Sequence, residues 1–193
     1  MPAAIEQATI YQRIWAGEIP SYPIYRYDQG DGQGLMAILD IHPATMGHVL
    51  IIPEEPVQQW TDLAPERLRQ ISRLGQLVAQ RQIDVLPGVN RVVQSFFGDD
   101  VPHVHSHSIP SYDRGDVVRR MQPDSGRMGR TANSDGLSIV QKALQFPDEL
   151  RDYADMEMST LGERSSFLYF LKRCLFYSSR RRYESSQPHA RRR

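Results

Sequence analysis

The chain has 193 residues, in which 23 Lys+Arg are balanced by 23 Asp+Glu, and a single cysteine, Cys174. That length suits one domain plus an extension. The neutral balance gives no electrostatic case for nucleic acid, and one cysteine excludes a disulfide framework and fits a reducing cytosol. No stretch approaches the ~20 apolar residues of a membrane span, and no basic and then apolar leader opens the chain. A cytoplasmic protein is therefore expected.

In chain order, residues 22–27, 35–41 and 48–52 read as three strands. The first two are separated by Gly30-Asp31-Gly32-Gln33-Gly34, a loop rich in residues that tolerate positive φ. A helix starts at Pro65, a favoured first helical position. Leu68, Ile71, Leu74, Gly75 and Val78 recur at helical spacing and define its buried face. Ala64, at the N-cap, offers no side-chain acceptor. Arg67, Arg69, Arg73 and Arg81 are expected on its solvated side. After Pro87-Gly88, residues 89–96 and 103–109 make two more strands. This order describes an α+β domain with a mostly antiparallel five-stranded sheet and one main helix.

From Ser111 onward the character changes. Residues 112–136 read as a long aperiodic loop, followed by short helices at 138–145 and 148–158. The segment 167–177 is apolar, but too short and too charged at its centre to span a bilayer. Arginine triplets at 180–182 and 191–193 close the chain; a packing helix with a basic end is the plainer reading, and a polyanion or membrane-surface contact the sharper one. The organisation expected is a domain over 1–112 and a helical, irregular extension over 113–193.

The chemistry is concentrated in His103-Val104-His105-Ser106-His107, followed by Ser108-Ile109-Pro110. In an extended strand the three imidazoles share one face. Such a row makes a poor core, because each ring has two nitrogens to satisfy. Histidine also titrates nearest neutrality, so a cluster can divide nucleophile, acid and phosphate-contact roles. A metal site is the rival. One zinc can take two histidines at i and i+2, but the outer pair lies roughly 13 Å apart along a strand rising about 3.3 Å per residue. A third ligand would have to come from His42, His48 or a carboxylate. There is no HExxH and no paired cysteine, so no metal is expected.

Upstream stands Leu39-Asp40-Ile41-His42-Pro43-Ala44-Thr45-Met46-Gly47-His48-Val49-Leu50-Ile51-Ile52-Pro53, preceded by Gly17-Glu18-Ile19-Pro20-Ser21. Together with the histidine triplet these resemble the histidine-triad (HIT) family of nucleotide hydrolases and transferases, from about Ile10 to about Tyr112. The resemblance implies a HIT-like fold, no cofactor, a nucleotide substrate and a homodimer. It implies that His105 is the nucleophile and forms a nucleotidyl intermediate. His107 would contact phosphate oxygens or assist the leaving group, while His103 and His48 would orient and polarise the cluster. Asp40 would accept bonds from ribose hydroxyls, although a turn-forming aspartate explains the same sequence position. Ile14, Ile19, Ile38 and Ile41 match base-pocket positions, with Tyr11 the aromatic near the base.

The chain also departs from the pattern. Ser95 and Asp99 stand where the family has Asn and Gln, in a loop about three residues shorter, and Gln12 stands where some members carry a zinc-binding cysteine. An aspartate facing phosphate disfavours multiply charged substrates, so phosphoramidates or monophosphate esters are expected over dinucleoside polyphosphates. A dinucleoside polyphosphate hydrolase, a nucleotide-binding protein with little turnover and, from the arginine tail alone, a nucleic-acid end-processing enzyme remain the alternatives.

Overall fold

The structure, a computed structural model, describes residues 8–97, 100–117 and 132–160. The strands are β1 (Pro23–Tyr27), β2 (Leu35–Leu39), β3 (Val49–Pro53), β4 (Arg91–Phe97) and β5 (His105–Ser111). They form one antiparallel sheet in the order β1-β2-β3-β5-β4. Every residue of β2 and β3 is buried, so both faces of the sheet are covered and the period of two divides the side chains between two cores. Leu35, Ala37, Leu39, Val49 and Ile51 face one core. Met36, Ile38, Leu50 and Ile52 face the other.

The first core is covered by α2 (Pro65–Val85), α3 (Ser134–Leu144) and α4 (Asp148–Thr160). Ile71, Leu74 and Val78 supply the buried face of α2, joined by Leu137 and Leu144 of α3, Phe146, and Ala154 and Met158 of α4. Gly75 lies where a Cβ would fall 2.0 Å from the Gln94 amide, so this glycine allows the helix its approach to β4. Polar bonds tie the C-terminal helices down: Tyr25 Oη donates to Asp155 at 2.6 Å, and Arg73 Nε pairs with Glu157 at 2.9 Å.

The second core is capped by α1 (Ile10–Trp15), whose Tyr11 and Trp15 pack on β2 and β3 residues. Sequence reading did not anticipate this helix. Six residues are too few to show a period, yet Thr9 and Gln12 form a capping box that fixes its start.

Several boundaries differ from expectation. β2 ends at Leu39, so Asp40 and Ile41 lie in a bend, and His48 precedes β3. β5 begins at His105, which leaves His103 outside the strand. The expected loop through 136 is cut short because Asn133 accepts from Gly136 N at 2.6 Å and starts α3 at Ser134. Arg67 does not lie on the solvated side, and Arg73 is only partly exposed. Arg67 is buried, donates to the carbonyls of Gln33 and Gly34 and pairs with Glu55 at 3.3 Å. Segment 167–177, the arginine triplets and Asp99 lie outside the described residues.

Arg67, itself buried, joins the β1–β2 loop, the segment after β3 and α2. Arg67→Met fills similar volume but leaves two carbonyls and a carboxylate without their donor. It should lower unfolding free energy by about 2–3 kcal/mol, read as a shifted urea midpoint at unchanged slope.

Candidate active site

Pairing of β5 with β3 sets Leu50 opposite His107, and pairing with β4 sets Ser95 opposite His107. Residues directly opposite project to the same face, so His105 and His107 stand on the α1 side with Leu50 and Ser95. Their ring centroids are 4.7 Å apart. His48 enters from the turn before β3. That turn needs Gly47, whose φ is +82° and whose added Cβ would meet Leu86 at 2.4 Å. Three outside bonds hold the same loop: Ala132 N to Ile41 O at 2.9 Å, Thr45 Oγ1 to Pro110 O at 2.6 Å and Tyr112 Oη to Met46 O at 2.9 Å.

Hydrogen bonding assigns the ring protons, because a carbonyl can only accept. His103 Nε2 is 2.8 Å from Pro53 O, so it carries the proton, and Nδ1 accepts from the Thr9 hydroxyl at 3.0 Å. His103, 0 % exposed, thereby pins the end of β3 to the cap of α1. His105 Nδ1 is 2.9 Å from His103 O, which places its proton there and leaves the Nε2 lone pair for chemistry. Tyr11 packs on both rings, with centroid distances of 5.6 Å to His103 and 4.8 Å to His105.

His48 is the junction. Its Nε2 lies 2.9 Å from His107 Nδ1. Its Nδ1 lies 3.2 Å from both Ala44 N and Asp40 Oδ2. Those two neighbours ask for opposite tautomers, since the amide needs a lone pair at Nδ1 and the carboxylate needs a proton. A proton on Nδ1 obliges Nε2 to accept from His107; a proton on Nε2 is donated to His107. Asp40, His48 and His107 thus form a chain along which a proton can move. Asp40 also closes an Asx turn, accepting from His42 N at 2.8 Å.

Burial is the largest influence on all four imidazoles and favours their neutral forms. It holds His103 and His105 below the ordinary histidine value, against the pull of the Pro53 carbonyl on the first and of the His103 carbonyl, Asp40 and Asp100 on the second. His48 is lowered by burial despite Asp40. His107 is pushed down to about 2 by burial and by the neighbouring His105 and His48. Tyr11 is raised by burial and then by Asp40 and Asp100, so its hydroxyl stays protonated.

Asp40, His48 and His107 have the donor types of a divalent-metal site, with ligand atoms within 4.8 Å of one another. Their arrangement fits an ion poorly, because Asp40 and His107 address opposite nitrogens of the His48 ring. Such a set chains rather than converging on one point at ligand distances of about 2.0–2.2 Å.

Among the other expected positions, Ile38 is buried in the α1-side core, Ile14 packs against it and Ile19 is half-buried. Ile41 is 43 % exposed beside Asp40. Ser95 lies within β4 rather than in a loop, and its Oγ is buried without a hydrogen-bond partner. Sequence reading missed Thr9 and Ala44. The T-x-x-Q spacing of Thr9 and Gln12 was a legible signal for the first; nothing local marks the second.

Comparison with known proteins gives the family and the fold. The HIT domain family matches residues 17–114, half of the chain, and the chain belongs to that family. An uncharacterized HIT-like protein of Mycobacterium tuberculosis is 33% identical over 132 residues, covering 63% of this chain and 88% of that protein. Adenosine 5'-monophosphoramidase of Saccharomyces cerevisiae is 31% identical over 120 residues, covering 58% and 68%. Among solved structures, a Zn-bound histidine triad family protein from Mycobacterium smegmatis superposes with TM-score 0.55 at 25% identity, over 71% of this chain and 93% of that one. A Hit-like protein from Bartonella henselae gives 0.59 at 21% identity, over 74% and 98%, and shares the fold. Among the described residues, no helix is long and apolar enough to cross a membrane.

The imidazoles give stability a pH dependence of definite sign. Below about 6.5 the unfolded chain takes up protons on these rings that the fold refuses. Stability is therefore full above that value and falls as pH drops below it, by up to about 1.4 kcal/mol per pH unit for each ring kept neutral. Thermal melting should move to lower temperature between pH 7 and 5, and less steeply in His107→Asn.

Proposed function

We propose that the protein hydrolyses or transfers nucleoside monophosphates carried on a P–N or P–O leaving group, with His105 as the nucleophile. The observation that carries this reading is the His103 carbonyl on His105 Nδ1, which leaves Nε2 unprotonated toward the face shared with His107. Nε2 attacks phosphorus and forms a P–N bond while the bond to the leaving group breaks. The departing amine or alkoxide keeps the electron pair and takes a proton that enters from solvent and passes through His107, while the Asp40 carboxylate, acting through His48, balances the charge in transit. Water then attacks the phosphoryl-imidazole, the nucleoside monophosphate leaves, and the lone pair returns to Nε2. The proton from water re-enters the same chain. Preset donors and a neutral nucleophile lower the barrier without rearrangement at the moment of reaction.

For the nucleoside, Asp40 serves the ribose hydroxyls in addition to His48, since a carboxylate has about four acceptor sites. Ile14, Ile19, Ile38 and Ile41 border the base together with Tyr11. The unpartnered Ser95 Oγ opposite His107 suits a phosphate or ribose oxygen. The yeast relative is named a monophosphoramidase, which supports phosphoramidates as the substrate class. So does the charge of Asp100, felt at His105 and Tyr11, because it disfavours polyphosphates. A homodimer is part of the reading: β4 pairs with β5 alone among the described strands, leaving one edge open to a second copy. The setting proposed is the cytoplasm.

His105→Ala should lower kcat/KM for an adenosine phosphoramidate by more than about a thousandfold while circular dichroism and melting stay native. Mass spectrometry after rapid mixing should show a transient adenylate on the native chain and none on the variant. A native chain that binds AMP but never acquires the adduct would instead be a nucleotide-binding protein with little turnover.

Because imidazole attack needs no bound ion, dialysis against a strong chelator should leave turnover of this single-phosphate substrate unchanged. Stoichiometric zinc, with activity lost on its removal, would move the answer to a metallohydrolase.

A further inference from the structure

On the face of the sheet opposite the histidines, one amide holds together the two strands that carry them. Gln82 of α2 is 0 % exposed. Its Nε2 donates to Gly47 O at 2.8 Å and to Ser108 O at 3.0 Å, and its Oε1 accepts from Ser108 Oγ at 2.8 Å. The orientation of the amide is fixed, since both carbonyls can only accept and the hydroxyl must then donate. Gly47 immediately precedes His48, and Ser108 immediately follows His107. These are the two residues whose rings meet at 2.9 Å on the other face. The β3–β5 ladder ends at Val49↔Ser108, so the backbone that carries His48 lies one step beyond it. Gln82 supplies from below the cross-strand link that the ladder no longer makes there.

We propose that Gln82 is a positioning residue that sets the His48–His107 contact by clamping Gly47 and Ser108 to one amide. The proposal rests on the histidine reading above for its consequence in catalysis, but not for its structural content. An amide so placed transmits its geometry directly. The Gly47 carbonyl belongs to the peptide that joins it to His48, and the Ser108 carbonyl lies one residue past His107; the packing around both is close, so a displaced backbone carries its ring with it. Ser108 keeps the amide in register, because its hydroxyl occupies the one position that would accept a flipped amide only at the loss of both carbonyl bonds. Leu86, Pro110 and Leu144 line the space beside Gly47.

The test uses Gln82→Met, which keeps the volume and removes both donors, on the full chain. Turnover of an adenosine phosphoramidate should show kcat reduced about tenfold with KM within about twofold, as expected for misplacement of reacting groups rather than lost binding. In parallel, the imidazole 15N signals of His48 and His107, which report the tautomer, should move, while those of His103 stay in place. Native kcat and native 15N signals in a folded Gln82→Met protein, even one with a lowered melting temperature, overturn the proposal and leave the amide a structural filler. If that variant does not fold, Ser108→Ala carries the test: it loosens the amide through Oε1 alone and should shift the same two signals in the same direction by less. Unchanged His48 and His107 signals there overturn it equally. Because the 15N measurement needs no substrate, it separates failure of this inference from failure of the proposed activity.

Discussion

The antiparallel pairing of β3 with β5 is the constraint on which the rest of the molecule depends. Three residue pairs, Val49↔Ser108, Leu50↔His107 and Ile51↔Ser106, fix it. A slip of one residue would turn every side chain of β5 to the other face. In the observed register the histidines of the His-Ser-His-Ser run stand on the α1 side. The serines point toward α2, where Ser106 meets Gln94 and Ser108 meets Gln82. The alternation puts imidazoles on one face and small hydroxyls under the helix on the other.

Three buried imidazoles and a half-buried fourth are costly unless each nitrogen finds a suitable partner, and the way they find partners divides their places in the structure. His103 is satisfied at both nitrogens, by Pro53 O and the Thr9 hydroxyl, and so has no group left for a substrate. It acts as a strut between strand and helix, and its carbonyl sets the tautomer of His105. His48 is served by two neighbours that favour different tautomers. Either tautomer of that ring therefore satisfies one of the two and not the other. Burial keeps the cluster neutral at rest, the form in which imidazole is a nucleophile.

The C-terminal helices α3 and α4 join α2 on the face away from the histidines. That leaves the histidine face to α1, whose two buried residues, Tyr11 and Trp15, are aromatic. The extension still reaches the site's margin through the bond from Ala132 to Ile41. With Thr45, Tyr112 and Gln82, it makes the loop between Asp40 and His48 a fixed element, although that loop has no regular secondary structure of its own.

The α+β class, five strands, the main helix and the membership of His105 and His107 in one row were legible in the sequence, because they follow from periodicity and from a motif within a few residues. Proline at the start of α2 and the glycine-rich β1–β2 loop are local signals of the same kind. Tertiary structure decided what depends on partners distant in the chain. Nothing near His48 shows that its ring meets His107, 59 residues away. Nothing near Thr9 shows that its hydroxyl caps a histidine 94 residues on. Arg67 reads as surface, because a helical period cannot tell a solvated guanidinium from one buried against carbonyls across the fold. Gln82, seven residues after Gly75 and four after Val78, sits in phase with the buried face, yet its polarity hid it. A sequence specifies which residues can share a face; only the packed chain specifies which polar atoms meet there, and the hydrogen-bonded chain of Asp40, His48 and His107 rests on those meetings.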